Sequence, residues 1–158
     1  RDICTSRDIK MNIVTGSGYR GYDKLHAEIK DEPLVTLTRA TGVISRIMEQ
    51  SQIAISSSGR TMYELAHMNI PAIIISQHVR ENTHSFACEK NGFISLGVFK
   101  NGTTEPKVVK KLIKLLDDRA YRQKLFERVT KFRFDANKDK VLTKMLEVMS
   151  SQVTGSVY

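Results

Sequence analysis

Ile53-Ala54-Ile55-Ser56 runs into Ser57-Ser58-Gly59-Arg60, then into Thr61-Met62-Tyr63-Glu64-Leu65-Ala66-His67-Met68, and an apolar run returns at Pro71-Ala72-Ile73-Ile74-Ile75-Ser76. A β-branched run, a small polar loop, an amphipathic stretch and a second β-branched run read as strand, loop, helix, strand. The two strands of this unit are expected at Ile53 to Ser56 and Ala72 to Ser76. Outward from it the pattern repeats, with further strands expected at Met11 to Thr15, Leu34 to Leu37 and Phe93 to Leu96. Helices are expected at Tyr22 to Ile29, Gly42 to Gln50, Thr61 to Met68 and Glu81 to Lys90. Such alternation predicts an α/β fold of βαβ units, a Rossmann-like parallel sheet with helices on both faces.

After Thr103 the period is helical throughout. Val108, Val109, Leu112, Leu115 and Leu116 form one apolar stripe, Tyr121, Leu125 and Val129 a second, and Val141, Leu142, Met145, Leu146 and Val148 a third. Gly102 and Pro106 mark the entry, with Pro106 in the first helical turn. The expected organisation is one α/β domain over residues 1–150 and a polar, frayed tail over 151–158. At the other end, Ile3, Cys4 and Ile9 read as the close of a helix leading into the Met11 strand. A strand and a helix are expected upstream of it, as in a segment cut from a longer chain.

A chain of 158 residues, 41% hydrophobic and 27% charged, belongs to the globular class and is long enough for one ordinary core. Its longest apolar run, Pro71 to Ile75, is far below the roughly 20 residues that a bilayer requires. No membrane span is expected, and the start lacks the apolar stretch of a signal peptide, so a cytoplasmic location is expected. The two cysteines, Cys4 and Cys88, have no Cys-x-x-Cys or Cys/His spacing, which argues against a disulfide framework and against a zinc site. No metal and no cofactor is expected. The formal charge of +8 suits an anionic partner. Much of the excess lies after Lys107, where basic and acidic residues interleave as on a solvated helix face. A nucleic-acid partner is not expected, because neither a stacking signature nor a helix-turn-helix is present.

In a doubly wound sheet, ligands bind beyond the carboxyl ends of the strands, so the loops after the strands are the candidate site. The first is Ser57, Ser58, Gly59, Arg60 and Thr61. Small residues admit a ligand close to the backbone, and free amides at the start of the next helix suit a diphosphate. Arg60 adds a charged donor, and Glu64, one turn on, can accept from ribose hydroxyls. The bland alternative is a tight turn in which a serine caps the helix and Glu64 is an acid favoured by the helix dipole. The second loop, Gln77-His78-Val79-Arg80-Glu81-Asn82-Thr83-His84, is dense in donors and acceptors of the kind that read sugar hydroxyls. Its bland alternative is a cap at Asn82 or Thr83, and neither His78 nor His84 has an acid partner in sequence. The third loop follows the second strand, with Thr38, Arg39 and Ala40 placed for backbone readout of a base and Thr41 placed to cap the next helix. The turn Gly16-Ser17-Gly18 lacks the third glycine of a dinucleotide fingerprint and reads first as an ordinary loop.

The string from Ile53 to Ala66, then Ile70 to Gln77, Glu81 to Ala87 and Asn91-Gly92-Phe93, resembles the carboxyl-terminal domain of the UDP-sugar hydrolases of pseudaminic acid biosynthesis. That family is similar in turn to the glycosyltransferase that makes lipid II, and both have the two-domain GT-B fold. The likeness covers Ile9 to Leu96. It implies a nucleotide-sugar-binding domain: Ser57 to Thr61 as the diphosphate cradle, Glu64 as the ribose acid, Thr38, Arg39 and Ala40 as the uracil-reading loop, and Gln77, Glu81 and Asn82 facing the sugar. It also implies a partner, an amino-terminal catalytic domain that supplies the base, and hence no catalytic residue in this chain. Domains of this kind also look to extend acylneuraminate cytidylyltransferase-like proteins of sialic acid biosynthesis. A non-catalytic interaction or regulatory module of such a bifunctional protein is the alternative expectation.

Overall fold

The computed structural model describes residues 2–40, 42, 44–83, 85–132 and 137–154, with no side-chain description at 137, 138 and 150–154. Thr41 and His84 lie outside the described residues. The chain divides into two compact units, Arg1–Gln50 and Ser51–Tyr158.

The first unit contains α1 (Asp2–Arg7), β1 (Met11–Thr15), α2 (Tyr22–Ile29), β2 (Val35–Arg39) and α3 (Ile44–Glu49). Asp8 ends α1 in the left-handed region at φ 52°, and the Ile9 amide closes back on the Cys4 carbonyl at 2.9 Å. A short polar side chain tolerates that conformation, so the helix stops cleanly before the strand. β1 and β2 pair in parallel, from Met11 opposite Val35 to Thr15 opposite Arg39. Neither strand buries a side chain completely, and Cys4 and Met48 are this unit's buried apolar residues.

The second unit opens with β3 (Ala54–Ser57), α4 (Thr61–His67) and β4 (Ala72–Ser76), continues through two 3-10 turns, Val79–Thr83 and Glu89–Asn91, and then β5 (Phe93–Val98). Three helices follow: α5 (Thr104–Asp117), α6 (Arg119–Val129) and α7 (Asn137–Thr154). The sheet is parallel in the order β3-β4-β5. Asn69, at φ 59°, ends α4, with Ile70 N–H on the Leu65 carbonyl and Asn69 N–H on the Ala66 carbonyl. That pair of bonds is a Schellman cap, and it delivers Pro71 into β4. The central strand β4 is an unbroken apolar run because it is covered on both faces. Ile73, Ile94, Leu115 and Leu125 form the core cluster, with Ile53, Leu96, Leu112 and Tyr121 packed around it. Each buried side chain of this size stabilises the fold by about 1.5–3 kcal/mol.

α6 lies directly on Gly92. A Cβ there would overlap Val129 Cγ2 and come within 2.6 Å of the Leu125 carbonyl oxygen, and the φ of 88° is itself unsuited to other residues. Around this contact Tyr121 Oη donates to Glu89 Oε1 at 2.8 Å, and Arg128 Nη1 donates to the Glu89 carbonyl at 2.7 Å. Arg122 Nη1 donates to the Leu115 and Leu116 carbonyls, closing the α5–α6 corner.

Three expectations change. The strands form two small parallel sheets, one in each unit, where one sheet was expected. β4 has the continuous apolar run of a strand covered on both faces, whereas Asn12 and Thr36 leave exposed positions in β1 and β2. The helix expected over Glu81 to Lys90 is replaced by the two 3-10 turns. Here Thr83 Oγ1 donates to the Arg80 carbonyl at 2.7 Å and Asn91 Nδ2 to the Phe86 carbonyl at 2.9 Å, so side chains take acceptors that a helix would use. The Phe86 ring meanwhile packs on Tyr63, Phe93 and Phe132, with centroids at 4.7, 5.6 and 4.9 Å. Finally, α7 continues as helix to Thr154, into the stretch expected as tail. No helix among the described residues is long and apolar enough to cross a membrane.

Candidate functional site

The candidate site lies at the carboxyl edge of β3, β4 and β5, within the second unit. Ser57 sits opposite Ile75, and Ser76 opposite Val98, so the three strands end nearly level. Neighbouring strands are about 4.8 Å apart, and the three loops therefore start within roughly 10 Å of one another.

Two of the sequence-predicted loops are bonded together. Ser58 is 2% exposed, and its hydroxyl donates to the Glu81 carbonyl at 3.2 Å. The Glu81 carboxylate, through Oε2, accepts the Gln77 N–H at 2.8 Å and so closes the turn after β4. Ser58, Gln77 and Glu81 thus form one connected group. The serine-cap alternative is corrected by this geometry, because no side chain caps α4 and the Ser58 hydroxyl is engaged elsewhere. At the start of α4 the Gly59 carbonyl accepts from Met62 N–H and the Arg60 carbonyl from Tyr63 N–H. The amides of Gly59, Arg60 and Thr61 donate to no acceptor among the described bonds. Glu64 is exposed one turn further in.

A third loop, which the sequence did not single out, completes the edge. β5 has an irregular register between the Ile74–Ser95 and Ser76–Val98 pairs, with Gly97 in the left-handed region at φ 74°. A Cβ on Gly97 would lie 3.9 Å from Asn82 Oδ1, which places the Asn82 side chain against the end of β5. Phe99 N–H donates to the Ser76 carbonyl at 2.8 Å, and Lys100 N–H to Thr104 Oγ1 at 2.9 Å. Among the described residues the buried polar side chains are Ser58, Ser76 and Thr104, and all three belong to this edge. Arg60, Arg80 and Lys100, one cation in each loop, are exposed. The bulge signal in sequence was Gly97 inside an apolar run, which marks an irregular strand end.

Thr38, Arg39 and Ala40 belong to the first unit. Thr38 and Arg39 end β2, the Arg39 guanidinium lies 4.8 Å from the centroid of the Tyr22 ring, and Tyr22 stacks on His26 at 6.1 Å. Ala40 holds φ 49°, a conformation that costs an alanine on the order of 1–3 kcal/mol. Its N–H donates to the Thr15 carbonyl at 2.8 Å, while the Thr15 hydroxyl is buried without a hydrogen-bond partner among the described residues. Gly16 and Gly18 face open space.

Among the described residues no group of His, Cys, Asp or Glu is placed to hold a metal ion. His26, His67 and His78 are exposed. The described edge thus offers phosphate-type and hydroxyl-type contacts: amides, hydroxyls, three cations and a carboxylate. Comparisons with family models, with curated proteins and with solved structures find no match to this chain.

Proposed function

We propose that the edge formed by β3, β4 and β5 is a nucleotide-sugar site, and that the chain is the UDP-sugar-binding domain of a GT-B-type hydrolase or glycosyltransferase of nonulosonic acid or surface glycan biosynthesis. The observation that supports this reading is the bond from Ser58 to Glu81. It holds a small-residue loop with free amides beside a loop rich in sugar-type contacts, at the edge where parallel α/β sheets bind ligands. In this reading Gly59, Arg60 and Thr61 hold the diphosphate with amides and one guanidinium. Glu64 accepts from the ribose, and Gln77, Glu81 and Asn82 read the sugar. The role of this chain in the reaction is positional: donors fixed on the leaving nucleotide stabilise charge as it develops, while a separate domain supplies the base.

The test is an amide-shift titration of the chain with UDP and CMP in parallel. Saturable shifts with UDP concentrated at 57–64 and 77–82 support the proposal. A preference for CMP moves the parent toward sialic acid activation. Silence with both ligands sinks the nucleotide reading and leaves the interaction module.

A further inference from the structure

β5 carries an extra residue at the end where the candidate site lies. From the Ile74–Ser95 pair to the Ser76–Val98 pair, β4 advances two residues and β5 advances three. Side chains alternate across a strand, so one inserted residue moves all that follow it to the opposite face. An unbroken ladder would set Gly97 against Ser76 and Val98 against Gln77. With the bulge, Phe99 N–H donates to the Ser76 carbonyl at 2.8 Å, the ladder runs on by one step, and Phe99 becomes the cross-strand neighbour of Gln77. Strands in a sheet lie about 4.8 Å apart, so the two side chains leave the backbone at that spacing and toward the same face.

The turn that presents Phe99 is held on its far side as well. Lys100 N–H donates to Thr104 Oγ1 at 2.9 Å, and Thr104 is buried. Thr103 and Thr104 N–H both donate to the Lys100 carbonyl, at 3.0 and 2.9 Å. On this closed turn Phe99 is 47% exposed, and its ring meets no aromatic ring or cation among the described residues. Phe86, Phe93 and Phe132, by contrast, pack together. Asn82 flanks the same place, since its Oδ1 lies 3.9 Å from where a Cβ on Gly97 would be. An aromatic face kept in water between two amide side chains suits a ligand with an apolar face and a rim of hydroxyls, which describes a pyranose ring.

We propose that Phe99 is the platform on which the sugar of the nucleotide-sugar lies, with the C–H face of the pyranose on the phenyl ring and its hydroxyls toward Gln77 and Asn82. This rests on the nucleotide-sugar reading above and adds to it a residue of the third loop.

Titration of the full chain with UDP, UDP-glucose and UDP-N-acetylglucosamine, with the sugar and uracil protons followed by NMR, tests this. In the parent chain the ring current of Phe99 is expected to move sugar protons upfield. Phe99→Ala should abolish that shift and weaken UDP-sugar binding by about three- to tenfold, the scale of one aromatic stacking contact, while leaving UDP affinity unchanged. Phe99→Tyr should keep both the shift and the affinity. Phe99 is exposed, so neither change threatens the fold. Phe126→Ala, at an exposed phenylalanine on α6, is the control and should alter nothing. UDP binding in which the sugar protons of both UDP-sugars stay unshifted overturns the proposal and leaves the nucleotide reading standing. An equal loss of UDP and UDP-sugar affinity in Phe99→Ala does the same, since it marks support of the loop and not stacking. Upfield shifts on uracil in place of the sugar also overturn it, by giving the ring to the base. Absence of binding by all three ligands removes the nucleotide reading itself, and the role of Phe99 with it.

Discussion

The two units share one construction, parallel strands joined by helices, but differ in how much they bury. In the first, β1 and β2 leave every side chain at least partly exposed, and only Cys4 and Met48 are buried among the described apolar residues. In the second, β4 buries Ala72, Ile73, Ile74 and Ser76, and Leu115, Leu125 and Val129 close over the sheet from α5 and α6. The difference teaches where rigidity resides. A site that must hold amides and hydroxyls at fixed positions gains from the unit with its own core, and the Ser58–Glu81 bond lies there.

The sharpest way to break this comparison is Gly92→Val. The new side chain meets Val129 and the Leu125 carbonyl at a φ of 88°, combining overpacking with backbone strain at one position. A loss of about 3–6 kcal/mol is expected, enough to unfold the second unit, read as a collapse of the urea midpoint. A midpoint within error of the parent would show that α6 does not seat on Gly92.

Next in size is Ile73→Ala. Ile73 is fully buried in the core cluster, so the expected cost is about 2–5 kcal/mol. Ile13→Ala, at a half-buried position on β1, is expected to cost less than half as much. Equal costs in chemical denaturation would erase the distinction between the units.

How far this contrast was legible in the sequence can be judged from particular elements. Met11 to Thr15, Ala72 to Ser76 and Tyr22 to Ile29 have the expected bounds, because periodicity and flanking residues there agree. Residues 81–90 misled because Phe86, Ala87 and Cys88 between polar flanks read as the apolar side of a helix, and the deciding bonds of Thr83 and Asn91 to nearby carbonyls leave no periodic trace. The candidate loops were legible as strand ends. Their linkage was not, since Ser58 and Glu81 are 23 residues apart and a serine before a helix reads first as a cap. The stripe of α7 was also legible, but a stripe in sequence signals burial, and its exposure appears only in the structure.

Ser58→Ala sharpens the comparison at the site itself. Removing one part-buried hydrogen bond is expected to cost about 1 kcal/mol and to leave the Glu81 carbonyl without its donor. Amide shifts should change at 77–83, in a different loop from the substitution. Shifts confined to 56–60 would mean that the two loops are not coupled.

A smaller effect separates α6 by pH. The Tyr121 phenol is pushed up to about 12 by burial, with the hydrogen bond to Glu89 adding to it. Because the folded value exceeds the unfolded value of 10.0, the contribution is complete below pH 10 and is lost as the pH rises toward 12. Phenolate absorbance should show one tyrosine titrating late, and Tyr121→Phe should remove that component along with its share of the alkaline loss of stability. An alkaline titration that Tyr121→Phe leaves unchanged would refute the burial of Tyr121 together with its bond to Glu89.

The smallest change in stability is expected from Glu64→Ala, which makes it the cleanest probe of function. Glu64 is exposed on α4, so its removal should move the denaturation midpoint by no more than about 0.5 kcal/mol. If it accepts from ribose hydroxyls, the affinity for UDP falls by roughly ten- to a hundredfold, as for the loss of a hydrogen bond to a charged group. Glu64→Gln keeps an acceptor oxygen but loses the charge, and an intermediate affinity separates hydrogen bonding from electrostatics. Unchanged UDP affinity in Glu64→Ala, with the fold intact, would remove the ribose role while leaving the loop at 57–61 as the nucleotide contact to be tested.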